Sequence, residues 1–469
     1  MKAMLSFFFP FLFAVNVYGQ DARALLQKAM TKSGDWTSVK TLTYRTVGKN
    51  YNKWQNYSFQ KPVAMMDEAV RSFDFAAPAY YYKTISRYGG GYLFEFANVG
   101  KDTTRYVYDV LKSRNGYGLQ KGGKRAFDAG ILFVNETFPF FALRTVLGSG
   151  DTLRLQNDST VRRLFKDGSY EEIALDREGK LVRIRRVQKG LLTEKRFSDY
   201  TTSAGLVYPK VASQYSNNEL VRVDEVVSLA VNEAFDSTLL AIPADYKLVE
   251  VPAPMKATEI SKNVFLVENV TGGRNVLFVN REDGVLVTEA PLSKEVSQGI
   301  IDLIHQTLPG KKIRYVHLSH FHYDHTSGIN AFLAEGATVI GTPATLAAVK
   351  TIVNEDVVAS AQYLPFIKEH VLKDASHEVH FYEVKNGHAE GMSFVYLPEE
   401  QVIYQGDLYS LPDDRTITPA IDVNRDFYYF LKKRKIAAKR IIGHHGANDI
   451  KMRDLEEAIS VKPSKRSSL

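Results

Sequence analysis

The 469-residue sequence contains no cysteine. That absence excludes disulfides, a thiol nucleophile, iron–sulfur clusters, cysteine zinc sites and an acylated cysteine behind a leader. Any bound metal must be held by nitrogen and oxygen alone. Long apolar runs are missing too: past the first residues, nothing approaches the roughly 18 uninterrupted apolar positions of a membrane helix. A large excess of one charge is missing as well, with Lys+Arg 60 against Asp+Glu 53 for a net +7. Such a balance permits an anionic partner without requiring one. Histidine is absent from the first 300 residues; all eleven lie between His305 and His445. Histidine-dependent chemistry therefore belongs to the second half of the chain.

What is present is an ordinary globular composition, 45% hydrophobic and 24% charged, with 31 Gly and 16 Pro. At roughly 100–200 residues per domain, this length predicts two or three domains. The start reads as an export signal. Lys2 supplies a short positive region, Leu5 to Val17 is mostly apolar but broken by Pro10, and Val17 and Gly19 suit a cleavage site before Gln20. The expectation is a leader over 1–19 and a periplasmic or secreted protein without a stable membrane anchor.

Residues 20–250 read as a mainly antiparallel β domain. A short amphipathic helix spans Ala22 to Lys32. Alternation follows, with Leu42, Tyr44 and Thr46 opposite Thr41, Thr43 and Arg45, and Val182 and Ile184 opposite Arg183 and Arg185. Turns at Asp167-Gly168, Glu178-Gly179 and Lys189-Gly190 separate such runs at hairpin spacing. The one convincing interior helix is Asn135 to Leu147. Tyr80, Tyr81, Tyr82, Tyr88, Tyr92, Phe94 and Phe96 crowd around Gly89, Gly90 and Gly91, a density that half-buried sheet faces explain better than a stacking surface for sugar or lipid. The succession Phe197 to Tyr200, Gly205 to Pro209, Val231 to Glu233 and Leu239 to Pro243 loosely resembles the curved sheet of periplasmic lipoprotein-carrier proteins. That resemblance implies a half-barrel packed on the rest of the chain.

Pro252 and Pro254 mark a linker over 251–257. Beyond it, over 258–455, short apolar strands alternate with helices, which predicts α/β layers. Val264–Val267, Val276–Val279 and Val285–Thr288 read as strands, Leu292–Thr307 as an amphipathic helix, and Ile313–Leu318 as a further strand. A disordered tail is expected over 456–469.

Directly after that last strand stands Ser319-His320-Phe321-His322-Tyr323-Asp324-His325, four potential ligands within six residues. His320 and His322 point the same way in an extended segment, because side chains there repeat with period two. Asp324 and His325 can turn toward a second centre. Imidazole and carboxylate ligands with open positions are what a hydrolytic metal needs to lower the pKa of bound water.

This His-x-His-x-Asp-His arrangement resembles the signature of the metallo-β-lactamase superfamily, whose fold is an αββα sandwich with two metals at one edge. The resemblance extends over about 258–450. His388 in Asn386 to Gly391, Asp407 after Val402 to Gly406, and His445 after Ile441 to Gly443 stand in the order of the later ligands. It implies His320, His322 and His388 on one metal, Asp324, His325 and His445 on the other, and Asp407 bridging. Asp324 would also orient the attacking water. His444 offers a second register for the last histidine. Two zinc ions suit hydrolysis without redox, with iron or manganese as alternatives. The family's aspartate after its first strand is replaced by Glu289, which is expected to take over that supporting contact.

The function implied is a metal-dependent hydrolase of an ester, lactone, thioester or amide, β-lactams included. The alternatives are an iron-dependent redox enzyme of the same fold and a catalytically silent small-molecule-binding protein. His305, His317, His370, His377 and His380 read as structural or surface histidines. The run Lys432 to Lys435 reads as an exposed helix face, with no nucleic-acid partner.

Overall fold

The computed structural model describes residues 10–250 and 253–462. The expected leader falls partly on 1–9, outside the described residues. From Pro10 the chain is helical through Lys32, a span that includes the helix expected at Ala22. No helix among the described residues is long and apolar enough to cross a membrane.

A 14-stranded sheet organises the N-terminal half. One meander runs from Thr41–Asn50 to Gly118–Gly122, and a second from Thr152–Asn157 to Glu219–Val231. They join where Thr41–Asn50 pairs antiparallel with Glu219–Val231. The short strand Lys247–Leu248 adds a parallel edge beside Gly118–Gly122. Alternation is visible in Thr41–Asn50, where Leu42, Tyr44 and Thr46 are buried and Thr43 is exposed. At each predicted hairpin a glycine takes positive φ: Gly168 at 82°, Gly179 at 84° and Gly190 at 79°.

Helix content in this half departs from expectation. Instead of one helix over 135–147, a 3₁₀ turn Phe133–Glu136 is followed by a separate helix Pro139–Gly148, and Lys124–Leu132 forms a helix of its own. Pro139 accounts for the break. Its ring disfavours helical geometry at Phe138, which sits extended, while Pro139 itself suits a first helical turn.

The domain core is aromatic. Trp36, fully buried, has the rings of Phe138, Phe140 and Phe141 at 5.7, 5.5 and 5.5 Å. Trp36→Ala is expected to remove about 3–5 kcal/mol. The check is a lowered urea midpoint for the N-terminal unfolding transition.

The C-terminal half is the expected αββα sandwich. Its seven-stranded sheet runs in chain order from Lys256–Ser261 to Gln362–Pro365, antiparallel up to Gly284–Thr288 and parallel after it. A five-stranded sheet runs from Glu369–Lys373 to Arg440–Gly443, with only its last pairing parallel. One core lies between the sheets, uniting Leu266, Leu277 and Leu286 with Phe381, Val395 and Tyr404. A second packs the helices Lys294–Thr307 and Ile329–Ala334 on the outer face of the larger sheet. A third packs Asp422–Arg434 and Met452–Ser460 on the smaller. Burial on both faces explains why Gly284–Thr288 and Ser393–Leu397 are buried throughout.

Two boundaries move. Val251 and Pro252 lie outside the described residues, and the first strand already starts at Lys256, inside the expected linker. The first part of the tail expected over 456–469 is ordered, because Met452–Ser460 is an amphipathic helix that buries Leu455 and Ala458; residues 463–469 lie outside the described residues.

Candidate metal centre

Strand ends at one edge of the sandwich deliver the histidines. The chain leaves Ile313–His317 extended, so His320 and His322 share a side, their rings 4.4 Å apart. A single helical turn, Tyr323–Thr326, then swings Asp324 and His325 around. His388 sits in a turn held by the Asn386 side chain, which accepts from the His388 and Ala389 amides at 2.7 and 3.1 Å. Asp407 follows Val402–Gln405, and His444 and His445 follow Arg440–Gly443.

These residues form two adjoining groups, His320, His322, His388 and Asp407 in one, His325, His444 and His445 in the other. Asp407 divides its oxygens between them. Oδ2 lies 3.3 Å from His388 Nε2 and 3.7 Å from His320 Nε2; Oδ1 lies 3.4 Å from both His325 Nε2 and His445 Nε2. Asp324 Oδ2 approaches His445 Nε2 at 3.1 Å and His325 Nε2 at 3.8 Å.

One nitrogen each of His320, His322 and His388 is anchored. His320 Nδ1 meets Ser319 Oγ at 2.9 Å, His322 Nε2 meets the Asn56 carbonyl at 2.9 Å, and His388 Nδ1 lies 3.4 Å from the Gly89 carbonyl. His325 Nδ1 faces Glu289 Oε1 at 3.3 Å as a charge contact without a hydrogen bond. The opposite nitrogens, His320 Nε2, His322 Nδ1, His325 Nε2, His388 Nε2 and His445 Nε2, are buried without a hydrogen-bond partner. Buried polar atoms left orphaned are costly in a folded chain unless something satisfies them. Divalent cations match this donor set of imidazole nitrogens and carboxylate oxygens.

Charge arrangement agrees. Burial and the neighbouring imidazoles hold His320 well below the usual histidine range; His322, buried beside His388, is lowered to about 3, and His445, buried beside Arg114, to about 4. All three are neutral and ready to coordinate near pH 7. Burial opposes charge on His325, but Asp407, Asp324 and Glu289 outweigh it and raise that ring well above the ordinary value. Asp324 and Asp407 are lowered despite burial, Asp324 chiefly by His325 and Asp407 by His325 and His445.

His444 and His445 differ in what they face. His445 Nε2 meets both carboxylates. His444 is anchored from behind, its Nδ1 2.9 Å from both the Asn275 carbonyl and the Tyr404 hydroxyl, and its Nε2 is likewise unpartnered.

Glu289 makes the expected supporting contacts. Wholly buried with φ 63°, it accepts from the Ser319 amide at 3.2 Å and faces His325. Carboxylates behind a ligand histidine fix its tautomer and orientation. Glu289→Gln is expected to weaken metal binding at the His325 group roughly 10- to 100-fold while sparing the His320 group. A competition titration against a chromophoric chelator would register this as two affinities drawn apart.

The remaining histidines are not gathered into a further cluster among the described residues. His305 pairs with Glu335, His317 with Ser393 Oγ, His377 with the Lys262 carbonyl, and His380 with Glu378.

The N-terminal domain reaches into the centre, which the sequence reading missed. Gln55 Nε2 donates to Asp324 Oδ1 at 3.0 Å, the Tyr92 hydroxyl donates to the Asp407 carbonyl at 2.8 Å, and Arg114 Nη2 stands 3.3 Å from His445 Nδ1. Gly89 and Gly90 permit the approach. A Cβ on Gly89 would come within 2.4 Å of the Gly387 carbonyl, and Gly90, at φ 73°, leaves only 2.9 Å to His388 Cβ. Only the triple glycine could have signalled it. Arg274, 3.4 Å from Asp324 Oδ2, is a second basic group at the site that sequence reading passed over.

Residues 261–446 match the family model of the metallo-beta-lactamase superfamily, and this region has that fold. Among solved structures, the chain resembles a metallo-beta-lactamase from Pontibacter korlensis at 18% identity, covering 44% of this chain and 98% of that one, with a TM-score of 0.38. A metallo-beta-lactamase of Pseudomonas aeruginosa in its mono-zinc form is 20% identical, over 44% and 93% of the two chains, TM-score 0.35. A flavodiiron protein from Giardia intestinalis is 17% identical over 44% of this chain and 59% of its own, TM-score 0.35. No curated protein matches the chain.

Proposed function

We propose that this chain is an exported, zinc-dependent hydrolase acting on an ester, lactone, thioester or amide of small size. The observation that carries the reading is the convergence of five unpartnered imidazole nitrogens on two carboxylates, with the two oxygens of Asp407 shared between the groups. His320, His322 and His388 would hold one ion, Asp324, His325 and His445 the other, and Asp407 both. Ions bound there would polarise the scissile carbonyl and lower the pKa of water into the neutral range.

The chain's own groups do the rest. Asp324 is held by Gln55 and Arg274, so its carboxylate stays fixed beside His445 and can orient the attacking water and accept its proton. Asn56 and Gly89 fix the ring orientations of His322 and His388 from the other domain. Glu289 places a negative charge 3.3 Å behind the His325 ring. Export is supported by Lys2, the apolar run Leu5 to Val17 and the small residue Gly19.

The test is metal analysis and turnover of the purified mature protein. Two zinc ions per chain are expected, with hydrolysis of chromogenic esters, lactones, thioesters or cephalosporins that a chelator abolishes and zinc restores. Stoichiometric iron in native protein would overturn the zinc assignment, and chelator-resistant or absent turnover would overturn the hydrolase.

A further inference from the structure

A cavity of about 200 Å³ opens directly onto the metal centre. Asp324, His388 and Asp407 form its floor, and every other lining residue comes from the N-terminal domain: Gln55, Tyr88, Tyr92, Phe94, Phe96 and Arg114. Phe94 and Phe96 alternate at the start of the strand Leu93–Lys101 and so share a face, and Tyr92, just before the strand, continues their row. Their rings follow one another, Tyr92 to Phe94 at 5.6 Å and 24°, Phe94 to Phe96 at 6.2 Å and 23°. Tyr88 closes on Phe94 edge-on at 5.5 Å. Phe94 and Phe96 are half-buried and belong to none of the hydrophobic cores, whereas Ala97 and Val99 further along the strand do. The pair therefore forms an apolar wall rather than packing.

Arg114 supplies the charge. Its guanidinium lies 5.6 Å from the Phe94 ring and pairs with no carboxylate among the described residues; its only polar side-chain contact is His445 Nδ1. If His445 Nε2 is a metal ligand, Nδ1 carries the proton and cannot accept from Arg114, which frees the guanidinium donors for the cavity. The loop bearing Arg114 is built rather than loose. The wholly buried Asp109 carboxylate accepts from the Leu111, Arg114 and Asn115 amides, and Asp414 of the C-terminal domain accepts from the Tyr117 amide at 2.6 Å.

We propose that the N-terminal domain is the substrate-recognition wall of the active site, and that the substrate is a small aromatic or flat apolar molecule bearing an oxyanion that Arg114 binds. This inference rests on the hydrolase reading for the reaction but not for the binding. The ring series takes the apolar part against the faces of Phe94 and Phe96, and the guanidinium takes the carboxylate or sulfur oxyanion.

Calorimetric titration of the metal-loaded full chain with 2-naphthoate, 2-naphthalenesulfonate and the neutral 2-naphthalenemethanol tests it without turnover. The anions should bind roughly 10- to 100-fold tighter than the alcohol, the scale of one charge-assisted hydrogen bond. Arg114→Gln should bring that ratio close to one, and Arg114→Lys should restore part of it. Phe94→Ala should weaken all three ligands alike by several-fold. Equal affinity for the three ligands, or an anion preference that survives Arg114→Gln and follows metal content instead, would overturn the proposal. Selective anion binding in a protein that turns over no ester would sink the hydrolase reading and leave this one standing.

Discussion

Asp407→Asn should leave the protein with less than one metal ion per chain and lower kcat/KM by roughly 10³-fold or more, the scale of several kcal/mol of metal-supplied stabilisation. The size follows from position. One oxygen of Asp407 faces His320 and His388 and the other faces His325 and His445. An amide keeps the shape but turns one of those oxygens into an NH₂ that has no lone pair for a cation. It also removes the negative charge shared by both groups, so neither ion keeps its full ligand set. Before any metal binds, the change is already felt at His325, whose raised proton affinity depends on Asp407 above Asp324 and Glu289. Elemental analysis of variant and parent, set beside their rates on one chromogenic ester, decides the matter. Two retained ions and a rate within tenfold would show that Asp407 does not bridge.

The centre was legible in the sequence because its chemistry is local and dense. His320, His322, Asp324 and His325 fall within six consecutive positions, and the resemblance to the metallo-β-lactamase superfamily that they carry pointed in turn to His388, Asp407 and His445. Glu289 was legible through the same resemblance, as the residue standing where the family carries an aspartate. Alternating α/β layers followed from apolar runs such as Val285 to Thr288, their αββα order from the family resemblance, and the hairpins of the first domain from their Asp-Gly, Glu-Gly and Lys-Gly turns.

The domain contacts were not legible, for a physical reason. Asn56 meets His322 through a backbone carbonyl, which every residue type possesses. Gln55, Tyr92 and Arg114 are ordinary surface residues until the fold brings them across sequence separations of 269, 315 and 331. The aromatic cluster around the triple glycine was weighed as one unit, but the structure divides it. Tyr80 and Tyr82 are core, while Tyr88, Tyr92, Phe94 and Phe96 face the metal centre. Pro139 broke a helix that apolar periodicity alone would have carried through it.

His445→Ala and His444→Ala should separate sharply, which makes the pair the second large effect. His445 Nε2 meets Asp324 and Asp407 at 3.1 and 3.4 Å, so its loss removes an imidazole from between two carboxylates. One metal ion per chain should remain, at the His320, His322 and His388 group, with kcat/KM down about 10²- to 10³-fold. His444 instead packs its ring 4.4 Å from that of His325 and is tied through Nδ1 to Asn275 and Tyr404. Its truncation leaves a buried gap behind His325, while the Tyr404 hydroxyl keeps its hydrogen bond to the Asn275 carbonyl at 2.8 Å. The chain should therefore lose stability, keep its second ion at saturating zinc, and bind it no more than about tenfold less tightly, the lower end for residues that only support a ligand. Metal stoichiometry at saturating zinc, measured together with the thermal midpoint, reads both effects from the same samples. A His444 variant that holds one ion, beside a His445 variant that holds two, would move the terminal ligand one residue back and leave His445 as the contact for Arg114.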